Sequence, residues 1–161
     1  IYSFNVIGWG VPVDINILAE KLRWSRGQRY NLAAIIEILR NRQRWARITL
    51  DDQVLEGYWG FAVACNTIHA GNGMIMAPEA KIDDGFLDLM VVGGMSRFKL
   101  LTTFIKLFSG THLPDPDIVY HRVRSFQLES KDKLPLNVDG ETVGTSPFSV
   151  QVLPRRIRIF K

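Results

Sequence analysis

The sequence predicts a mainly β fold of the α+β kind: an antiparallel β-sandwich carrying about three added helices. Two observations carry this expectation. From Ala46 onward the chain falls into short runs rich in branched and aromatic residues, cut by Asp51-Asp52, Gly71, Gly73 and Asp83-Asp84-Gly85 at strand-like intervals. Helical periodicity is confined to three stretches, too few for the alternation of strand and helix that builds a parallel sheet. With 161 residues and 47% hydrophobic side chains the chain can bury one sizeable core, and residues 1–161 read as a single domain.

Taken in order, Ile1 to Ile7 reads as a strand closed by Gly8-Trp9-Gly10. A helix follows through Ile15, Leu18, Ala19 and Leu22, with Asp14 or Asn16 as its expected cap. The Gly-x-Gly between them is not a dinucleotide fingerprint, because Val13 stands at the third glycine position and Pro12 disturbs the turn. A second helix carries Leu32, Ile35, Ile36 and Leu39 as its apolar stripe, with Asn31 as cap. Strands are expected over Ala46 to Leu50, Tyr58 to Ile68 and Phe86 to Val92. A third helix starts at Ser96, shows Phe98, Leu101, Phe104, Ile105 and Phe108 on one side with Leu100 and Leu107 off the stripe, and stops at Gly110. Strands over Val119 to Leu128, Pro135 to Val138, Phe148 to Leu153 and Arg156 to Phe160 complete the chain.

No apolar run approaches the roughly 20 residues that a membrane-spanning helix needs. The chain begins at Ile1 without methionine or signal pattern and reads as a piece of something longer. A lone Cys65 among Phe61, Val63 and Ala64 suits a reducing compartment. Charge is unevenly spread. Lys21 to Arg47 holds eight basic residues against Glu37 alone, a block that attracts phosphate, whether on a nucleotide, a lipid surface or a nucleic acid. Glu79 to Asp88 reverses the sign, with four acids and one lysine.

Two acidic turns could do chemistry. Asp83-Asp84-Gly85 opens a core strand, and one carboxylate with neighbouring carbonyls is a partial shell for magnesium or calcium. The same letters also make a tight turn with no metal. Asp139-Gly140-Glu141 follows another strand, where Glu141 could take a proton from a substrate hydroxyl, orient a metal or bond a ribose, or simply be solvated. The three histidines and Cys65 lack zinc-like spacing, and there is no nucleophile elbow or phosphate-binding Gly-x-x-x-x-Gly-Lys-Ser/Thr loop. Without an aromatic platform beside the arginines, nucleic acid is not the expected partner.

Several separated stretches resemble one family. Ala77-Pro-Glu-Ala-Lys-Ile-Asp-Asp-Gly-Phe-Leu-Asp88, Asn137-Val-Asp-Gly-Glu141, and Gly8-Trp-Gly10 followed by Glu20-Lys-Leu-Arg23 and Arg29-Tyr30 are similar to the C-terminal half of the diacylglycerol kinase and sphingosine kinase superfamily. The resemblance implies a two-domain lipid kinase using ATP and Mg2+, with its active site between a nucleotide-binding half and a β-sandwich half. It implies that Asp84 and the backbone oxygens of Lys81 and Phe86 hold a structural magnesium, and that Glu141 is the general base. It further implies that Arg23 and Arg29 approach the ATP phosphates and that Asp139, Gly140 and Glu141 border the nucleotide. The family's Gly-Gly-Asp-Gly half is absent from the sequence, so this chain alone is expected to be inactive and to need its own N-terminal nucleotide-binding domain. Where sphingosine kinases carry an aspartate for the substrate amine, this sequence has Asn16, with Asp14 two residues earlier. The acceptor implied is the primary hydroxyl of a sphingoid base or diacylglycerol. An amide cannot pair with an ammonium as a carboxylate does, which favours the neutral alcohol or leaves the sphingoid base open, since Asp14 could compensate. The expected setting is cytoplasmic, with transient contact to an anionic membrane. The competing reading is a non-catalytic domain that docks on membranes or a partner through Arg40 to Arg47 and the helix from Ser96.

Overall fold

The computed structural model describes residues 1–71 and 73–157, apart from the side chains of Arg23, Ser25 and Arg26. Along the chain run β1 (Val6–Gly10), α1 (Val11–Lys21), a 3-10 turn (Arg23–Gln28), α2 (Arg29–Arg40), β2 (Arg44–Thr49), β3 (Val54–Trp59) and β4 (Phe61–Cys65). Then come β5 (His69–Ala70), β6 (Met74–Ile75), β7 (Leu87–Val92), α3 (Arg97–Lys106), β8 (Ile118–Val123), β9 (Ser125–Ser130), β10 (Leu136–Val138), β11 (Glu141–Val143) and β12 (Phe148–Gln151). A six-stranded sheet in the order β11-β10-β1-β4-β7-β8 faces a four-stranded sheet in the order β12-β9-β2-β3, and every pairing is antiparallel. The expected sandwich with three α-helices is what forms.

The main core lies between the sheets. Trp9, Ala62, Ala64, Leu87, Leu89, Val91 and Val123 come from the six-stranded sheet and meet Ala46, Ile48, Leu50, Phe126 and Leu128 from the other side. A second core covers the outer face of the six-stranded sheet, where Val63, Cys65, Met90 and Val92 lie under Met76, Ala77, Ala80, Met95 and Leu107. Strand β7 is therefore buried on both faces, which is why Leu87–Val92 reads as an apolar run rather than an alternation. Only Asp88 interrupts it.

Several expectations are corrected by tertiary packing. The first strand begins at Val6, and Gly8-Trp9-Gly10 lies inside it, because Trp9 fills the core while the glycines admit neighbouring backbone. A Cβ on Gly8 would sit 3.1 Å from Pro12 Cβ, so this glycine lets α1 rest on the sheet. Gly10 has φ of 83° and a Cβ there would lie 2.5 Å from the Gly60 carbonyl. Neither Asp14, Asn16 nor Asn31 caps a helix: α1 starts at Gly10 and α2 at Gln28, both without a side-chain cap. Ser96 does cap α3, accepting from Lys99 N at 3.3 Å. Tyr58 to Ile68 breaks at Gly60 into β3 and β4, and Val119 to Leu128 breaks at Arg124 into β8 and β9, each piece belonging to a different sheet. Arg156 and Ile157 are not in a strand, and residues 158–161 of that expected strand lie outside the described residues.

The helices bury faces other than those the periodicity suggests. In α2 the inward residues are Ala33, Ala34, Glu37 and Ile38, while Leu32, Ile35 and Leu39 are exposed. Small residues let α2 approach α1, and the larger side chains are left outside. In α3, Leu100 and Phe104 pack on the outer core with Leu107 just beyond, whereas Phe98, Ile105 and Phe108 face out.

Candidate functional site

The hairpin joining β10 to β11 is built by its sequence. Asp139 and Gly140 both take positive φ, 51° and 96°, the two-residue turn whose twist matches antiparallel strands and which Asp-Gly favours. Val138 pairs with Glu141 across it. The Asp139 carboxylate accepts from Ser3 Oγ at 2.9 Å and from the amides of Phe4, Asn5 and Val6 at 2.7, 3.0 and 2.8 Å, tying the segment before β1 to the turn. Partial burial disfavours its charge, but the amides of Val6, Phe4 and Asn5 and the Ser3 hydroxyl outweigh this and hold the carboxyl below the ordinary range. Gly140 N donates to Asn137 Oδ1 at 3.1 Å, and Asn16 Nδ2 donates to the Gly140 carbonyl at 3.1 Å. Glu141 opens β11 with an exposed side chain and no hydrogen-bond partner among the described residues.

Beside this turn lies a cleft of about 830 Å³ on the outer face of the six-stranded sheet. Its walls are α1, α2 and α3, and its floor includes Val6, Gly8, Phe61 and Val63. Ile15, Ala34, Ile38, Leu100 and Phe104 make the interior largely apolar. Its polar lining includes Asn16, Asn137 and Gly140 beside the turn, Arg29, Asn31, Glu37, Asn41 and Arg42 from α2 and the residues after it, and Thr103 from α3. The Arg29 guanidinium is 3.6 Å from Glu20 and 4.9 Å from the Tyr30 ring centre. Glu37 is buried: one oxygen pairs with Arg40, and the other has no partner among the described residues.

Of the remaining expected site residues, Asp14 pairs with the nearly buried Arg44 at 2.7 Å, anchoring α1 to β2, and does not line the cleft. The Arg23 backbone belongs to the 3-10 turn, and its side chain lies outside the described residues. In the other acidic turn, Asp84 Oδ1 accepts from Phe86 N at 2.9 Å and Oδ2 pairs with Arg122. The Phe86 ring has the guanidinium carbons of Arg122 and Arg124 each 5.0 Å from its centre. Lys81 is exposed beside the turn. Oxygen is the right donor for magnesium, so the residues fit that ion by type, but Arg122 already neutralises the carboxylate. No group of three or more His, Cys, Asp or Glu suited to a metal ion is found among the described residues. Four residues on, buried Asp88 accepts from Tyr120 Oη at 2.5 Å, and desolvation raises its pKa despite that bond.

Strand register relates the two turns. Asp88 pairs with Arg122 and Cys65, Cys65 with Val6, Ile7 with Val138, and Val138 with Glu141. Both turns therefore sit at one end of the six-stranded sheet. Glu141 on β11 and the start of β7 are four strand spacings apart, roughly 19 Å at about 4.8 Å per strand. Arg29 and Gly140 line the same cleft, whereas the ion-pair partner of Asp84 is Arg122 rather than any residue of the basic block Lys21 to Arg47. Sequence reasoning missed Asn137 as a clamp on the turn and α3 as a cleft wall. An asparagine three residues before a turn glycine was the available signal for the first; the second had none, because α3 was oriented by the wrong stripe.

Residues 5–161 match the model of the YegS C-terminal NAD kinase beta sandwich-like domain. The chain belongs to this family. Its relatives include a protein named "Probable lipid kinase YegS-like" from Shewanella frigidimarina, 29% identical over 154 residues that cover 95% of the chain and 49% of the relative. A diacylglycerol kinase of Mycobacterium tuberculosis is 27% identical, covering 98% of the chain and 51% of the relative. Sphingosine kinase 1 of Arabidopsis thaliana is 26% identical, covering 80% and 35%. The crystal structure of a diacylglycerol kinase from Bacillus anthracis superimposes with a TM-score of 0.67 at 23% identity, over 94% of this chain and 50% of that one, and shares the fold. The chain thus spans about half the length, or less, of the relatives it matches.

Proposed function

We propose that this domain is the lipid-binding half of an ATP-dependent lipid kinase, which moves the γ-phosphate of ATP to the primary hydroxyl of a lipid alcohol. The observation that carries the reading is the apolar cleft whose rim holds Gly140, one residue from the exposed Glu141. Each methylene that an acyl chain buries there contributes about 0.8 kcal/mol, which suits a long apolar tail with one reactive polar end. At that end the lipid hydroxyl oxygen attacks the γ-phosphorus, the bond to the β–γ bridging oxygen breaks, ADP leaves and the hydroxyl proton passes to Glu141. Arg29, and Arg23 by the resemblance of its segment, offset charge spreading over the phosphate oxygens.

With Asn16 rather than a carboxylate on the cleft wall, diacylglycerol or another neutral alcohol is the preferred acceptor over a sphingoid base. Bound magnesium would be held by Asp84 with the carbonyls of Lys81 and Phe86, in exchange for Arg122, and would stabilise the turn by neutralising its carboxylate. The nucleotide comes from an N-terminal domain, so the domain alone is inactive. Exposed Leu32, Ile35 and Leu39 on α2, Phe98, Ile105 and Phe108 on α3, and the nearby Arg40, Arg42, Arg97 and Lys106 suit transient contact with an anionic membrane from the cytoplasmic side. No helix among the described residues is long and apolar enough to cross one.

The test is a panel of lipid alcohols offered to the full-length enzyme, alongside Ile15→Asp, which puts a charge on the cleft wall. Phosphorylation of neutral glycerolipids, cut roughly tenfold or more in Ile15→Asp, is the expected result, since an unpaired charge in apolar surroundings is costly. Absence of phosphorylation on every lipid tested would leave the membrane-docking reading in its place.

A further inference from the structure

The two peptide units that meet at Gly140 are each held by an asparagine side-chain amide from a different element. Asn137, on β10 beneath the turn, accepts the Gly140 N–H, and Asn16, on the cleft wall formed by α1, donates to the Gly140 carbonyl, both at 3.1 Å. The residue before it is fixed as well, since both oxygens of Asp139 are engaged by Ser3 and by the amides of residues 4–6. Glu141 follows directly, so the plane of the Gly140–Glu141 peptide, whose carbonyl Asn16 holds, sets the direction in which its Cα and side chain leave the turn. Glycine at φ of 96° has no side chain to resist rotation of that plane, and a Cβ there would meet nothing within 4 Å. The two amides supply the missing restraint.

The chemistry of position 16 is specific. Donation to a carbonyl needs an N–H or O–H. An ionised carboxylate has neither, and its lone pairs would face those of the Gly140 oxygen. Resting on the reading of Glu141 as the base, we propose that Asn16 is a positioning residue that aims Glu141 by holding the Gly140 carbonyl, rather than a group that binds the lipid headgroup. One of the two N–H groups of its amide is engaged by the protein, and the same side chain ties the cleft-lining helix to the turn that carries Glu141.

The experiment uses the full-length enzyme with Asn16→Asp, Asn16→Ala and Glu141→Gln, alone and combined. Asn16→Asp is expected to lower kcat by roughly tenfold or more, as small misplacements of a reacting group do, while the lipid KM stays within about threefold. Hydrogen exchange at the amides of residues 140 and 141 is expected to accelerate in both Asn16 variants. Adding Asn16→Asp to Glu141→Gln should cost little further, because both changes act on one unit. A raised lipid KM with kcat intact, or unchanged exchange at residues 140 and 141, overturns the proposal. Near-normal turnover in Glu141→Gln would instead remove the base assignment, and the exchange measurement would still decide whether Asn16 holds the turn.

Discussion

The two acidic turns at one end of the six-stranded sheet are spelled alike and finished differently. In Asp83-Asp84-Gly85 the second carboxylate has one oxygen on the Phe86 amide and the other on Arg122, and its side chain is only 18% exposed. In Asp139-Gly140-Glu141 the aspartate is equally committed, to four donors, but the glutamate beyond it is left open to solvent, one residue from Gly140 on the cleft wall. One turn thus commits the charge of Asp84 to the fold and leaves only Asp83, away from the cleft lining, exposed, whereas the other keeps an exposed carboxylate next to a cleft-lining residue. A carboxylate already bonded on both oxygens is a poor proton acceptor, whereas one that is fixed by its neighbours and itself unbonded can take a proton without first breaking contacts.

The sharpest way to break this contrast is Glu141→Gln in the full-length enzyme. Lipid phosphorylation is expected to fall by roughly two orders of magnitude with an unchanged melting temperature; a variant that melts early but turns over normally would mean the two turns are both structural. Next in size is Asp84→Ala, which removes an amide acceptor and an ion pair at a mostly buried site. A loss of about 2 kcal/mol, or roughly 5 °C in Tm, is expected by thermal melting. Magnesium should raise the Tm of Arg122→Gln more than that of the parent and should do nothing for Asp84→Ala. Equal insensitivity of all three would deny the turn any cation.

A smaller effect separates the aspartates. Asp139 has its folded-state pKa held below the ordinary 3.8, so its contribution is present above that value and is lost as pH falls through the lower folded one. Asp139→Asn should cost about 1 kcal/mol at neutral pH, because the site is partly open to solvent, and next to nothing in strong acid. Denaturant melts at several pH values would read this directly, and a cost independent of pH would show that shape rather than charge matters there. Smallest is Asp88→Asn. Burial raises the pKa of Asp88 above 3.8, so ionisation at neutral pH opposes folding and that penalty vanishes in acid. The variant should melt about 1–3 °C higher at pH 7 and match the parent below pH 3.8. Destabilisation at pH 7 would mean that the charge is used, and would extend the cation site from Asp84 to Asp88.

Much of the fold was legible in the sequence. Short branched runs and turn residues announced antiparallel strands, β7 was visible as an apolar core run interrupted only by Asp88, and the Asp-Gly hairpin was readable as such. Helix orientation was not. Leu32, Ile35 and Leu39 form a good apolar stripe that the protein turns outward, because the neighbour of α2 is another helix and alanines allow the closer contact. The same error on α3 hid the third wall of the cleft. At the site, Glu141 and Arg29 could be singled out by residue type and resemblance, but the partners of Asp14, Asp84 and Asp139 lie 30, 38 and as many as 136 residues away.

What the sequence by itself determined was the class of architecture, the two acidic bends and the family pattern spread along the chain, since these depend on local backbone preference and on residue identity. Only the tertiary structure decided which carboxylates are consumed and which is free, and that Asn16 reaches a turn 124 residues away. Pairing of this kind is set by strand register and helix docking, which bring together groups that have no periodic or neighbouring relation in the chain.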